Sequence, residues 1–129
     1  MAIKVEIAPG ELVDKITILE IKLERISDPE KLKNIRVEYD LLKRVSKAEM
    51  APSERLEVWT KQLKEINRQL WAIEDDIRNL ERVKSFGPEF VALARSVYRV
   101  NDERSAIKRL INELFKSAIV EEKSYAARP

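Results

Sequence analysis

Residues Ser53–Lys84 read SERLEVWTKQLKEINRQLWAIEDDIRNLERVK. Within this stretch Leu56, Trp59, Leu63, Ile66, Leu70, Ile73, Ile77 and Leu80 alternate three and four residues apart, which draws one unbroken apolar seam along a single helix. At 1.5 Å per residue such a helix is about 48 Å long. A compact domain of this chain length is only about 28 Å across, so the helix has to protrude or meet a second subunit. Its seam is of the kind that packs knobs into holes against another helix. The sequence supplies that helix next: after the breakers Gly87 and Pro88, a helix over Pro88–Lys116 carries Leu93, Val97, Val100, Arg104, Ile107, Ile111 and Leu114, with Ala118 beyond it. The turn over Ser85–Pro88 is short, so the two helices are expected to lie antiparallel.

On the N-terminal side, Pro9 and Gly10 introduce a helix over Glu11–Ile26 whose stripe is Leu12, Ile16, Leu19, Leu23 and Ile26; Ile18 and Ile21 widen it. Asp28 as N-cap and Pro29 at the first helical position start another over Pro29–Lys47, with Leu32, Ile35, Tyr39 and Leu42 facing inward. Pro52 then breaks the chain and Ser53 caps the long helix. At the extreme N-terminus, Ile3–Ile7 (IKVEI) alternates apolar and charged side chains like a half-buried strand. Its candidate partner is Ala118–Tyr125 (AIVEEKSY), in the same chain or in a second subunit. The expected fold is all-α: an antiparallel helical bundle built on a long coiled-coil-like hairpin, with short two-stranded pairing of the chain ends and one domain over residues 1–129.

The chain has 129 residues, no Cys and no His, which removes disulfides, thiolate nucleophiles, imidazole bases and thiolate or imidazole metal sites. Basic and acidic residues number 25 and 23, for a net charge of +2, too balanced for a nucleic-acid-coating surface. The best apolar run, Phe90–Ala94, ends at Arg95, far short of the roughly 18 to 20 residues that span a membrane. Lys4 and Glu6 interrupt any signal-peptide core, so a cytoplasmic location is expected. No glycine-rich phosphate loop is present, and no cofactor is expected.

One polar cluster is not required by the shape. Facing residues of the long hairpin should sum to about 173 in number, which places Glu74 near Arg99 and Arg78 near Arg95. Glu74, Asp75, Arg78, Arg95, Tyr98, Asn101, Asp102, Arg104 and Lys108 then share one stretch, with Arg104 on the seam itself. A guanidinium there needs a carboxylate, an aromatic face, a bound anion or water. In one reading a carboxylate of the first helix, such as Asp14 or Glu20, or one from a partner chain, closes an ion-pair network that sets register. In the other, Arg95, Arg104 and Lys108 line a cleft for an anionic ligand. Glu74, Asp75 and Asp76, or Glu11 with Asp14, could share a hard cation, but ordinary i,i+4 pairing such as Glu74 with Arg78 accounts for the same residues and no metal site is assigned.

The strings IAPGELVDKITILEIK (Ile7–Lys22), LWAIEDDIR (Leu70–Arg78), FGPEFVALARSVYRVNDERSAIKRLIN (Phe86–Asn112) and VEEKSY (Val120–Tyr125) resemble a bacterial family of small helical proteins known as a domain of unknown function. The resemblance covers nearly the whole chain and implies kinship without an assigned reaction. It also implies a partner linked to surface-polysaccharide synthesis. Where that family is expected to carry Ser before Pro-Gly, this chain has Ala8, which removes an N-cap hydroxyl.

Two functions follow as expectations. The first is a non-catalytic assembly or adaptor protein, a homodimer working through helix packing, with no catalytic residue assigned. The alternative is a small enzyme or sensor holding a phosphorylated or carboxylated metabolite at Arg95, Arg104 and Lys108, with Tyr98 or Asp102 moving a proton.

Overall fold

Each helix starts where the sequence interrupts the one before. In a computed structural model, which describes residues 1–126, the elements are α1 (Pro9–Arg25), α2 (Pro29–Glu49), α3 (Glu54–Arg82) and α4 (Pro88–Leu114). Pro9, Pro29 and Pro88 occupy first-turn positions, where a missing N–H costs nothing. Asp28 Oδ1 accepts from Glu30 N at 3.3 Å and Ser53 Oγ from Leu56 N at 3.1 Å, so both expected caps form. Ala8 gives α1 no side-chain cap. Both α3 and α4 end on a lysine in the left-handed conformation, Lys84 (φ 56°) and Lys116 (φ 50°). In each case the next amide reaches back to close the last turn, Ser85 N to Leu80 O and Ser117 N to Asn112 O, both at 2.9 Å.

α1 is the central element: it packs against α2, α3 and α4, while α3 and α4 pack against each other. The core gathers Leu12, Val13, Ile16, Met50, Leu63 and Ile111, closed by Tyr39, Leu42, Leu56, Trp59, Ile107 and Phe115. Leu56 and Trp59 near the start of α3 meet Ile107, Ile111 and Phe115 near the end of α4, so α4 runs back along α3. α1 does not cover the whole of this pair. Its bonds reach Arg68 of α3 and Arg104 of α4. Beyond them, over residues 68–82 and 88–99, neither helix has a buried residue. Leu70, Ile73, Ile77, Leu80, Leu93 and Val97 are left half-buried along a two-helix arm.

The described residues contain no strand. Ile3, Val5 and Ile7 are exposed, and residues 118–125 lie along α4 instead of pairing with them, so the expected chain-end ladder does not form within the chain. The physical reason is that five residues without a sheet to join make a marginal strand, whereas Glu121 and Glu122 of the tail find cations on α4. No helix among the described residues is long and apolar enough to cross a membrane.

Candidate functional site

In α1 the polar residues Gly10, Glu11, Asp14 and Thr17 recur at helical spacing and face α4 and α3. In α4, Asn101, Arg104, Lys108 and Asn112 are three, four and four residues apart and form the opposing stripe. The two stripes meet as an antiparallel polar ladder. Gly10 N donates to Asn112 Oδ1 at 2.7 Å, Lys108 Nζ to Glu11 Oε2 at 2.8 Å, and Arg104 Nε to Asp14 Oδ1 at 2.9 Å. A second guanidinium nitrogen of Arg104, Nη2, donates to Asp14 Oδ2, completing a bidentate pair.

Asp14 is 1 % exposed, and the structure surrounds it accordingly. Asn67 of α3 donates through Nδ2 to both Asp14 Oδ1 and Thr17 Oγ1 at 3.0 Å, and Thr17 Oγ1 donates to the Asp14 carbonyl at 2.8 Å. Among the described residues no buried side-chain polar atom lacks a partner. That is the condition under which a buried ionic network is tolerated. The first rung also resolves the missing α1 cap: with Ala8 unable to serve, Asn112 of α4 accepts from Gly10 N, one of the amides that open the helix. Only glycine fits there, because a Cβ at position 10 would collide with the Lys108 carbonyl oxygen and stand 2.8 Å from Asn112 Oδ1.

The electrostatics follow from these contacts. Hydrogen bonding to Asp14 raises the Arg104 guanidinium above its ordinary value, against the opposing effect of burial. At Lys108 burial by itself would lower the ammonium, but bonds to Glu11 and to Glu121 of the tail, the latter at 2.9 Å, together outweigh it and the group is raised. Two cations thus face the three carboxylates of Glu11, Asp14 and Glu121. No local positive excess is left to attract an anion.

The structure brings together five of the residues singled out in the sequence: Glu11 and Asp14 on α1, and Asn101, which accepts from Arg104 Nη1 at 3.4 Å, Arg104 and Lys108 on α4. Arg95 is exposed and elsewhere; nine residues from Arg104 is about two and a half turns, so the two point to opposite sides of α4. Tyr98 lies with Arg95 and Arg99, the Arg99 guanidinium 6.0 Å from its ring centroid, and hydrogen bonding first from Arg99 and then from Arg95 lowers its phenol. Glu74 and Arg78 form an exposed pair at 2.8 Å on the arm, where Asp75 is also exposed. Asp102 is exposed and lines the cavities described below. Sequence reasoning missed Gly10, Thr17, Asn67, Asn112 and Glu121. Asn67 was discernible as a polar residue on the shoulder of the α3 seam; Gly10 and Asn112 carried no signal of their own.

A second network lies on the other side of α1. Lys64 Nζ reaches Glu24 at 2.9 Å, Arg68 Nη2 is 3.2 Å from both oxygens of Glu24, and Tyr39 Oη donates to Glu20 at 3.2 Å. Lys64 and then Arg68 lower the Glu24 carboxyl, while burial and then Glu20 raise the Tyr39 phenol.

Two cavities open beside the ladder. One, of about 490 Å³, is bounded by Tyr98, Asn101, Arg104, Lys108 and Lys123. The other, of about 720 Å³, lies between α4 and the tail. The described residues contain no group of carboxylates arranged to hold a metal. Glu11 and Asp14, a candidate pair for a cation, are occupied by Lys108 and Arg104.

A family model described as a family of unknown function (DUF6165) matches residues 3–128. No curated protein and no solved structure matches the chain.

Proposed function

The chain belongs to that family of unknown function, whose description carries no reaction, and we propose from its own geometry that it is a non-catalytic assembly protein that associates through the arm of α3 and α4. The observation that supports this reading is the uncovered apolar seam: a run of half-buried Leu, Ile and Val on both helices, with no third helix over it among the described residues. The tip adds Val83, Phe86 and Val91, exposed by 67 %, 52 % and 51 %, with Phe86 and Phe90 stacked edge to face at 5.2 Å between ring centroids. A homodimer pairing two arms as a coiled-coil-like four-helix layer covers this surface twice over with one contact. A further partner linked to surface-polysaccharide synthesis, and a cytoplasmic location, accord with this reading. Sedimentation equilibrium tests it. Wild-type chain should be dimeric at micromolar concentration and Phe86→Glu with Val91→Glu monomeric at unchanged helix content; a monomeric wild type overturns it.

The cavity of about 490 Å³ beside Arg104 and Lys108 favours a second reading, an enzyme or sensor for an anionic metabolite. Such a ligand would have to displace Glu11, Asp14 or Glu121 from the two cations. A rise in melting temperature with phosphate, sugar nucleotides or dicarboxylates would support it.

A further inference from the structure

Ahead of α1, three apolar side chains stand outside the core: Ile3 is 79 % exposed, Val5 74 % and Ile7 38 %. Residues 1–8 contain no helix, turn or bend. Pro9 disfavours helical backbone at Ala8, which is extended (φ −70°, ψ 148°), so the segment leaves α1 as extended chain. Successive side chains of such a chain point to opposite sides, which puts Ile3, Val5 and Ile7 on one face and Lys4 and Glu6 on the other. Neither charge has an ion-pair partner among the described residues. The tail, the other stretch without helix that carries β-branched residues, is tied to α4 through Glu121 and Glu122.

Three β-branched side chains alternating with two charges make a strand that lacks a neighbour. The order Ile-Lys-Val-Glu-Ile specifies which neighbour fits. A second copy laid antiparallel about Val5 places Val5 opposite Val5, Ile3 opposite Ile7, Lys4 opposite Glu6 and Glu6 opposite Lys4. Every apolar side chain then meets an apolar one, and both cross-strand charge pairs attract. The other arrangements fail on the same residues. A one-residue slip turns the apolar face of one strand against the charged face of its neighbour. A two-residue slip sets Lys4 against Lys4 or Glu6 against Glu6, and a parallel pairing in register does both.

We propose that Ile3–Ile7 of two copies of this chain pair as an antiparallel two-stranded ribbon centred on Val5. The contact uses no residue of the arm, so it goes beyond the arm's self-association and does not depend on it. Two strands this short make a weak, reversible contact, which is best read by trapping. The chain has no Cys, so Val5→Cys and Ile3→Cys each carry a single thiol, at sites exposed in the wild type. In this register the paired thiols of Val5→Cys sit on Cβ atoms about 4.5 to 5.5 Å apart, whereas those of Ile3→Cys are about 13 Å apart along the strands. Under mild oxidation Val5→Cys should therefore form disulfide-linked dimer at least about tenfold faster than Ile3→Cys. With Val5→Cys in place, Lys4→Glu or Glu6→Lys alone should slow the reaction about five- to tenfold, and an equal mixture of the two chains should restore it, because their charges are again opposed across the ribbon. Equal rates for Val5→Cys and Ile3→Cys, or no rescue in the mixture, overturns the proposal. The preference for position 5 should persist when Phe86→Glu and Val91→Glu are added in the arm. Its loss there would show that the arm alone brings the segments together and would equally overturn the proposal, while the arm's own role is decided separately by sedimentation.

Discussion

The carboxylate of Asp14 and the guanidinium of Arg104 meet as a two-point fork across ninety residues of sequence, with Asn67 closing the remaining side. Asp14 is buried and held by three helices at once, so sliding α1 by one turn along α4 would strand a carboxylate in the interior. The ladder therefore acts on register. Its rungs differ in kind: a backbone cap at Gly10, a lysine shared with the tail at Glu11, and the closed fork at Asp14.

Asp14→Ala should lower unfolding free energy by roughly 3 kcal/mol or more, because it leaves Arg104 half inside the protein without its counter-charge. Replacing both residues by leucine should recover much of that loss, since an apolar pair removes the desolvation penalty together with the attraction. Urea denaturation of the two variants decides the matter; a double variant as unstable as Asp14→Ala would show that the two residues do not act as a unit.

Gly10→Ala should destabilise by about 1 to 3 kcal/mol, since the new methyl meets the Lys108 carbonyl and Asn112 Oδ1, which also accepts the Gly10 amide. Gly87→Ala makes the control. Nothing lies within 4 Å of a Cβ there, so its effect should stay within about 1 kcal/mol. Thermal unfolding of both chains gives the comparison.

Alkaline titration should separate two tyrosines. Tyr98 ionises below the ordinary 10.0 because Arg99 and Arg95 favour the phenolate, and Tyr39 above it because burial and Glu20 disfavour it. Tyrosinate absorbance should lose an early step in Tyr98→Phe and a late one in Tyr39→Phe. For stability the sign follows from proton binding: folded Tyr39 keeps its proton where the unfolded chain has lost it. Its contribution is thus complete below pH 10 and disappears as pH rises through the higher folded value. Tyr39→Phe should flatten that part of the alkaline stability loss.

Much of the helical layout was legible in the sequence because its causes are local. Asp28–Pro29, Ser53 and Gly87–Pro88 punctuate the chain where α2, α3 and α4 begin, and the alternating threes and fours of the α3 seam mark the side that is buried or half-buried. The requirement of Arg104 for a counter-charge was legible too, since any seam guanidinium has it. Its partner was not: Asp14 and Glu20 both qualified, and only the packing of α1 turned Asp14 toward α4 and Glu20 toward Tyr39 and Lys64. The facing arithmetic of the hairpin puts Arg95 and Arg104 in one stretch, but a nine-residue interval places them on opposite sides of a helix.

The amino-acid order alone, through helical periodicity, capping chemistry and proline, determined that the described residues make four helices, two of them too long for a compact core. Tertiary structure alone decided that Gly10 is capped by Asn112, that Asp14 answers Arg104, and that the tail lies on α4 instead of pairing with Ile3–Ile7. The division has a physical origin. Period and caps are interactions over a few residues, whereas each of those contacts joins groups far apart in sequence whose meeting depends on how whole helices cross.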